Sequence, residues 1–487
     1  RIQMKKIIKL LGALSLVAAS FTSCERDISA LNVDPKNPSV VPTENLVSTV
    51  SYYLANAHVS PSVNENITRF FTQQWTETTY TSETNYFFEQ RNQNQYYWNN
   101  TYREVLGPLA KAKEFLQSEK ENSTYSLADQ AKIKANKKAI LEILSIYAWA
   151  TLVDSFGDVP YSEALKSNST DLNLQPKYDD AATIYTDLVA RIAAVQSTID
   201  PSLPSYSDPY YAGDMDKWKM VLNTIKLRMG LNLADTNAAQ AKSLVESAYA
   251  DGVITDEGDN FQFQFDNALF SNPVYLNLVA NGRNDFLPSN VLVNFMKANN
   301  DPRVPEYFTP APDGTYKGGN YGLLNTYANF SKVADRIKKR DAPGQIFDHV
   351  NVKFMLAEAA ARGYSVGGTA ADYYADAVTA SMEEWDVDAA AADAFLLAHP
   401  YDAANWKKSI GEAAWVAMYN KGFEAWYFWR RLDYPVLAPA PTAVYGLVRR
   451  MPYPLNEKNN NAANVEAAST KIPGGDIYSS KVFWDKN

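Results

Sequence analysis

Between Ala139 and Val153 the sequence is apolar around nearly the whole circumference of a helix. Such a helix has no solvent face and is stable only when other elements enclose it. The pattern runs back to Ser126, where Ser126-x-x-Asp129 has the form of a capping box, so Ser126–Val153 is predicted as one helix. What encloses it reads as helical too. Ile184, Leu188, Ile192, Val195 and Ile199 make one apolar stripe along Tyr178–Ile199, with Asp179 and Asp180 favouring its N-terminus and Asp200-Pro201 ending it. Trp218, Leu222, Ile225, Met229 and Leu233 repeat that stripe. Thr43 and Glu44 open a helix to about His58, and further helices are expected near 237–250, 346–362, 370–385 and 402–430. Neighbouring helices joined by short turns imply a mostly α fold, a helical-repeat scaffold of the tetratricopeptide kind over about 43–250 and 346–430. Residues 255–345 break the pattern. They are rich in Asn, Gly, Pro and aromatics, and Gln262–Phe265 alternate as a short strand does. Loops and a few short strands and helices are expected there, and long irregular segments tend to carry function.

Cys24 is the only cysteine in 487 residues, so no intramolecular disulfide can form and packing must supply stability. Its setting is informative. Lys5, Lys6 and Lys9 form a basic segment, Ile7–Ala19 is largely apolar, and Phe21-Thr22-Ser23 leads into Cys24. That layout reads as a signal peptide over 1–23, with Met4 as its start, and is too short for a spanning helix. Cys24 then becomes the lipidation site. A thiolate accepts a diacylglyceryl group readily, and each acyl CH₂ buried in a bilayer contributes about 0.8 kcal/mol. Residues 24–42, with Leu31-Asn32-Val33-Asp34-Pro35-Lys36-Asn37-Pro38, read as an extended lipidated tether, and 43–487 as a single helical domain.

Loss of 1–23 removes Arg1, Lys5, Lys6 and Lys9 and no acid, which takes the net charge from −9 to −13. A chain so acidic is a poor partner for nucleic acid, whose affinity comes from neutralised phosphates. No run of 18 uninterrupted apolar residues follows Cys24, so the body is not expected to span a membrane.

Signals for catalysis are sparse. His58, His349 and His399 stand at no metal-ligand spacing to one another, and no phosphate-binding or dinucleotide loop occurs. Gly363-Tyr364-Ser365-Val366-Gly367 fits GxSxG, but that elbow needs a strand before its serine. Here the preceding residues are helical in pattern, so Gly363 reads as a helix C-cap and Gly367-Gly368 as a turn. Asp154 and Asp158 read as capping or turn residues, and Arg336-Ile337-Lys338-Lys339-Arg340 as a solvated basic face. No catalytic residue, metal or cofactor is expected. A secreted glycoside hydrolase remains the alternative, because carboxylate separation is not legible in sequence.

Phe70–Tyr102 is dense in rings set among Gln, Asn and Thr. Flat aromatics beside fixed amides suit the apolar faces and hydroxyl rims of sugars. Trp75, Tyr80 and Tyr86 are the candidate ring contacts and Asn85 a candidate amide partner, whereas Trp98 and Tyr102, four apart at a helix start, read as packing.

Several stretches together resemble the SusD/RagB family of nutrient-binding outer-membrane lipoproteins. They are Leu31-Asn32-Val33-Asp34-Pro35 after the cysteine, Asp154 to Ala164, and Asn300-Asp301-Pro302-Arg303. Glu358 to Gly363, Ser381-Met382-Glu383-Glu384-Trp385, Gly422 to Trp426 with Arg430-Arg431, and Arg450-Met451-Pro452-Tyr453-Pro454 complete the set. Read physically, most of these hold the fold; Glu424 with Arg430 and Arg431 suggests ion pairs along one helix. The resemblance implies a SusD-like fold with four tetratricopeptide-like helix pairs, an anchor in the outer leaflet, and a SusC-like TonB-dependent transporter as partner. It implies a surface protein that captures oligosaccharide, or in another branch peptide, and delivers it to the barrel. By rough position it also points to 275–330, with Arg283 and Asp285 as polar partners and Tyr321 as a ring contact.

Overall fold

The computed structural model describes residues 41–88, 92–166 and 173–486. The signal segment, Cys24 and the tether up to residue 40 lie outside the described residues. Thr43–Asn487 forms one compact unit.

Four helix pairs follow one another along the described chain. Leu127–Phe156 packs on Ala181–Gln196, Met215–Asn232 on Ala238–Ala250, His349–Ala361 on Ala370–Glu384, and Trp406–Ala417 on Gly422–Leu432. Each pair touches the next, and Thr43–Val59 lies against Gly107–Ser118 beside them. The all-apolar helix is the spine. By length and composition it would cross a membrane, yet 94% of its most apolar window is buried inside the protein. Ser126 caps it by accepting from Asp129 N, and Gly157, at φ +80°, ends it.

Local caps shift several boundaries. Asp180 accepts from Thr183 N, so the third predicted helix begins at Ala181, and Tyr178–Asp179 instead pairs antiparallel with Val159–Pro160. The helix expected over 402–430 is two. Asn420 takes a left-handed conformation (φ +66°), and Gly422 lies against the Thr68–Phe71 turn so closely that a Cβ there would meet Thr68 Oγ1 at 2.4 Å. The GxSxG segment is a helix ending: Tyr364 N bonds Ala359 O, Gly363 N bonds Ala360 O, and Ser365 N donates to Glu246. No strand precedes it, and the elbow that would expose a nucleophile is absent.

Residues 255–345 hold short strands. Phe261–Phe263 pairs antiparallel with Gly344–Phe347, Phe308–Thr309 with Lys332–Val333, and Trp75–Glu77 with Phe286–Pro288.

The helix pairs meet around buried charge. Arg228 reaches Glu424 at 3.1 Å, and Asn351 Nδ2 donates to the other oxygen of that carboxylate at 2.9 Å. Tyr147, Phe347 and Tyr427 surround the guanidinium, with ring centres 4.5–5.0 Å away. Arg431 pairs with Glu358 at 3.0 Å, and Arg362 shares the same carboxylate. Arg430 lies 3.6 Å over Trp426 and donates to Asp154 O. The ion pairs of Glu424 and Arg431 thus cross to other helices rather than run along Gly422–Leu432. Six or seven residues of helix separate the groups by about 9–10 Å, so each reaches across to a neighbouring helix. Asp154 is a buried acceptor for Trp484 Nε1 and Tyr185 OH, while Asp158 accepts from Ala181 N.

Removing one member of a buried pair strands the other. Glu424→Ala should cost about 3–5 kcal/mol in urea-induced unfolding. Glu424→Gln, which keeps an acceptor for Arg228, should cost clearly less.

Candidate ligand-binding site

Beyond Glu77 the chain leaves the Trp75–Glu77 strand and runs outward as a loop, Thr78–Asn85. Two other loops meet it there. Thr78 N donates to Asp285 O at 2.8 Å and Thr78 Oγ1 to Asn284 O at 2.8 Å. Asn325 N donates to Thr78 O at 2.8 Å and its Nδ2 to Glu77 O at 2.9 Å. Loops 281–285 and 320–325 are thus stitched to the 78–85 loop, and the three make one rim.

The expected site residues divide at this rim. Tyr80 stands out from it, 54% exposed. Arg283 and Asp285 are on it too, paired at 2.5 Å with the guanidinium about half exposed. A short π-helical turn, Leu276–Ala280, leads into Arg283, whose N–H bonds Asn277 O; such turns recur at functional sites.

The other four candidates are buried, and they are corrections to the expected ring platform. Trp75 lies beneath the Arg69 guanidinium, 5.2 Å from ring centre to carbon, and against Phe286. Tyr86 and Tyr321 turn their hydroxyls inward: Gln73 Nε2 donates to Tyr86 OH at 3.0 Å, and Tyr321 OH donates to Phe70 O at 2.6 Å. Burial pushes the Tyr86 phenol up to about 12, so it stays protonated at all ordinary pH. Asn85 spends its amide on Thr81 O and Gly322 O and accepts from Thr442. These side chains hold the three loops together from below. The physical reason is hydrogen-bond supply: carbonyls freed where loops leave a sheet need donors, and Tyr and Asn provide them.

Sequence reasoning missed the aliphatic part of the rim. Leu323 and Leu324 are exposed, Leu324 at 73%, and Leu276 and Val279 are exposed on the π-helical turn. Gly322 before them has φ +73°, and a Cβ there would meet Ala440 Cβ at 2.7 Å. Two leucines following a glycine in a polar segment were the available signal. Two buried acids were missed as well. Glu77 lies at the base of the 78–85 loop and Glu83 is turned inward within it; the two are hydrogen-bonded, and burial, then the Glu83 charge, raises the Glu77 carboxyl to about 9. Neither stands in a catalytic cleft. The larger cavities among the described residues, about 410 Å³ between Gln262, Asp341 and Lys421, about 400 Å³ beside Trp98 and Glu163, and about 350 Å³ near Tyr374 and His399, are lined by none of the rim loops. Among the described residues no group of three or more His, Cys, Asp or Glu is placed to hold a metal ion.

A family model described as starch-binding and associating with the outer membrane matches residues 35–454. No curated protein matches the sequence. Among solved structures, a chitin-binding protein is 23% identical with a TM-score of 0.75, covering 92% of this chain and 100% of its own. A SusD-like protein from Bacteroides thetaiotaomicron is 22% identical with a TM-score of 0.75, over 92% of this chain and 99% of that one. A chitin-binding SusD homologue from Flavobacterium johnsoniae is 22% identical with a TM-score of 0.73, over 92% and 98%. Those structural likenesses establish a shared fold, and the family match spans most of the sequence. The chain belongs to the SusD-like family, whose members are binding proteins rather than enzymes.

Proposed function

We propose that this protein is a cell-surface glycan-binding lipoprotein that holds oligosaccharide on the Tyr80 rim and delivers it to a SusC-like TonB-dependent transporter in the outer membrane. Acyl chains on Cys24 anchor it, facing the exterior. The observation that carries the reading is the rim itself: an exposed ring, Tyr80, beside the Arg283–Asp285 pair on three interlaced loops. A sugar needs an apolar face to stack on and polar groups at fixed positions around it. The family's starch-binding description and the chitin-binding proteins of the same fold support a polysaccharide-derived ligand. With one ring and one ion pair contributing, affinity belongs in the micromolar to millimolar range, about −8 to −4 kcal/mol.

A peptide ligand is the second reading, and one observation favours it. Leu323 and Leu324 offer exposed aliphatic surface at the same rim, which suits apolar side chains better than hydroxyls.

Calorimetric titration with maltoheptaose, chitohexaose and a mixed peptide pool separates the two. For whichever binds, Tyr80→Ala should weaken affinity about tenfold, roughly 1.4 kcal/mol, with the fold intact. Trp75→Ala should instead destabilise the protein by about 3–5 kcal/mol, because it empties a core position. Unchanged affinity in Tyr80→Ala would remove the rim from the ligand site. In cells, Cys24→Ser should abolish palmitate labelling and move the protein out of the membrane fraction; retained labelling would place the lipid elsewhere.

A further inference from the structure

The loop that presents Tyr80 is closed at its neck by two buried acids. Glu77 ends the strand, and its Oε2 accepts from both Thr84 N and Thr84 Oγ1 at 3.1 Å. Those bonds tie the first residue before the loop to its far end, so the segment between them, Tyr80 included, is held as a closed loop. The carboxyl group of Glu77 is hydrogen-bonded to Glu83, and Gln93 Nε2 donates to Glu83 Oε1 at 2.5 Å. Both acids are almost wholly out of solvent, at 3% and 0% exposure.

Two hydrogen-bonded carboxyl groups in a buried site cannot both be ionised without strong repulsion, so one carries a proton. Thr84 holds Glu77 Oε2 and Gln93 holds Glu83 Oε1, so each acid has its other oxygen for the proton. Burial, then the Glu83 charge, raises the Glu77 carboxyl, which makes Glu77 the protonated member. Other titratable groups face this pair from the packed elements described. Tyr321, of the 320–325 loop, feels the Glu77 charge, and Tyr86 is hydrogen-bonded to Tyr321. Asp285, with its Arg283 partner, lies at the end of the opposite strand. Both phenols are raised by burial and stay neutral, which leaves the proton of the Glu77–Glu83 pair as the one that titrates.

We propose that Glu77 and Glu83 are positioning residues of the ligand site: the Glu77 carboxylic acid donates to Glu83 and accepts from Thr84, which closes the neck of the loop that presents Tyr80. The inference rests on the rim as the ligand site and adds a proton to its requirements. Its sign follows from the direction of the shift. The folded group holds its proton up to about pH 9, so the closed loop is present below that pH and lost as pH rises through it. Ionised Glu77 repels Glu83, and the neck opens.

The test uses the full chain without ligand first. Amide exchange at Thr84 should show protection that falls as pH passes about 9. In Glu77→Gln the carboxamide keeps both roles, N–H to Glu83 and C=O to Thr84, so protection should stay flat with pH. In Glu77→Ala it should drop about tenfold at all pH, the worth of a buried hydrogen bond. Glu83→Gln removes the neighbouring charge and should move the transition to lower pH. With maltoheptaose and chitohexaose as probes, wild-type affinity should fall above pH 9 by up to about tenfold per pH unit, for one proton, and Glu77→Gln should lack that fall. The proposal is overturned by a Glu77→Gln protein that keeps the wild-type pH profile, or by Glu77→Ala with wild-type protection at Thr84. If neither sugar binds the wild-type chain, the glycan reading fails, and the exchange data still decide the clasp. Thermal melting of each variant identifies any that does not fold, and Glu83→Gln then decides in place of Glu77→Ala.

Discussion

Arg228 carries a full charge into the centre of the helical stack, and the surrounding packing is arranged to meet that demand. Its guanidinium is enclosed by three rings and paired to Glu424, which in turn takes a hydrogen bond from Asn351. Those residues come from the second, fourth and third helix pairs, so one satisfied charge fixes the mutual placement of three pairs. Arg431 with Glu358, and Arg430 with the Asp154 carbonyl, extend the same network toward the spine helix. Buried ion pairs contribute little net stability compared with apolar packing but tolerate few alternative arrangements. In this protein they act as a register between helices whose apolar stripes alone would allow sliding.

That register explains the character of the family-like stretches. Asp154, Glu358, Glu424, Arg430, Arg431 and Arg450 all supply buried hydrogen bonds between segments distant in sequence, Arg450 by donating to Phe156 O at 2.7 Å. None is at the rim. The residues by which the chain is recognised are those that hold the scaffold, while the rim is built from the loops 78–85, 281–285 and 320–325. Family membership therefore speaks to the fold and to a binding role, and the proposed ligand contacts, Tyr80, Arg283 and Asp285, lie outside the stretches that carry it.

The rim and the core are coupled through one short sheet. Trp75 and Glu77 share a three-residue strand, yet Trp75 packs under Arg69 whereas Glu77 closes the Tyr80 loop. Tyr80 thus sits on a loop whose far end, at Thr84, is hydrogen-bonded to the strand that carries Trp75. That tie gives a small surface loop a defined position without a disulfide or metal to fasten it.

The helices were legible from the amino-acid order because their signals are local. Ile184, Leu188 and Ile192 recur at helical spacing, Ser126 precedes its acid at N3, and Gly363 follows the last helical turn; each needs only its neighbours in sequence. The mostly α class, the paired helices, the irregular 255–345 region and the harmless reading of GxSxG came from such signals. Which rings face water did not. Trp75, Tyr80 and Tyr86 sit in one aromatic-rich segment and look alike in sequence, yet Tyr80 is exposed while the others are sealed by Arg69, Phe286, Gln73 and Tyr321. The same holds for Glu424, whose partner was expected one or two turns along its own helix and lies on another, because charge pairs by distance in space. Periodicity is a property of the chain and could be read from it, whereas exposure and pairing are properties of what the chain packs against, and only the tertiary structure decides them.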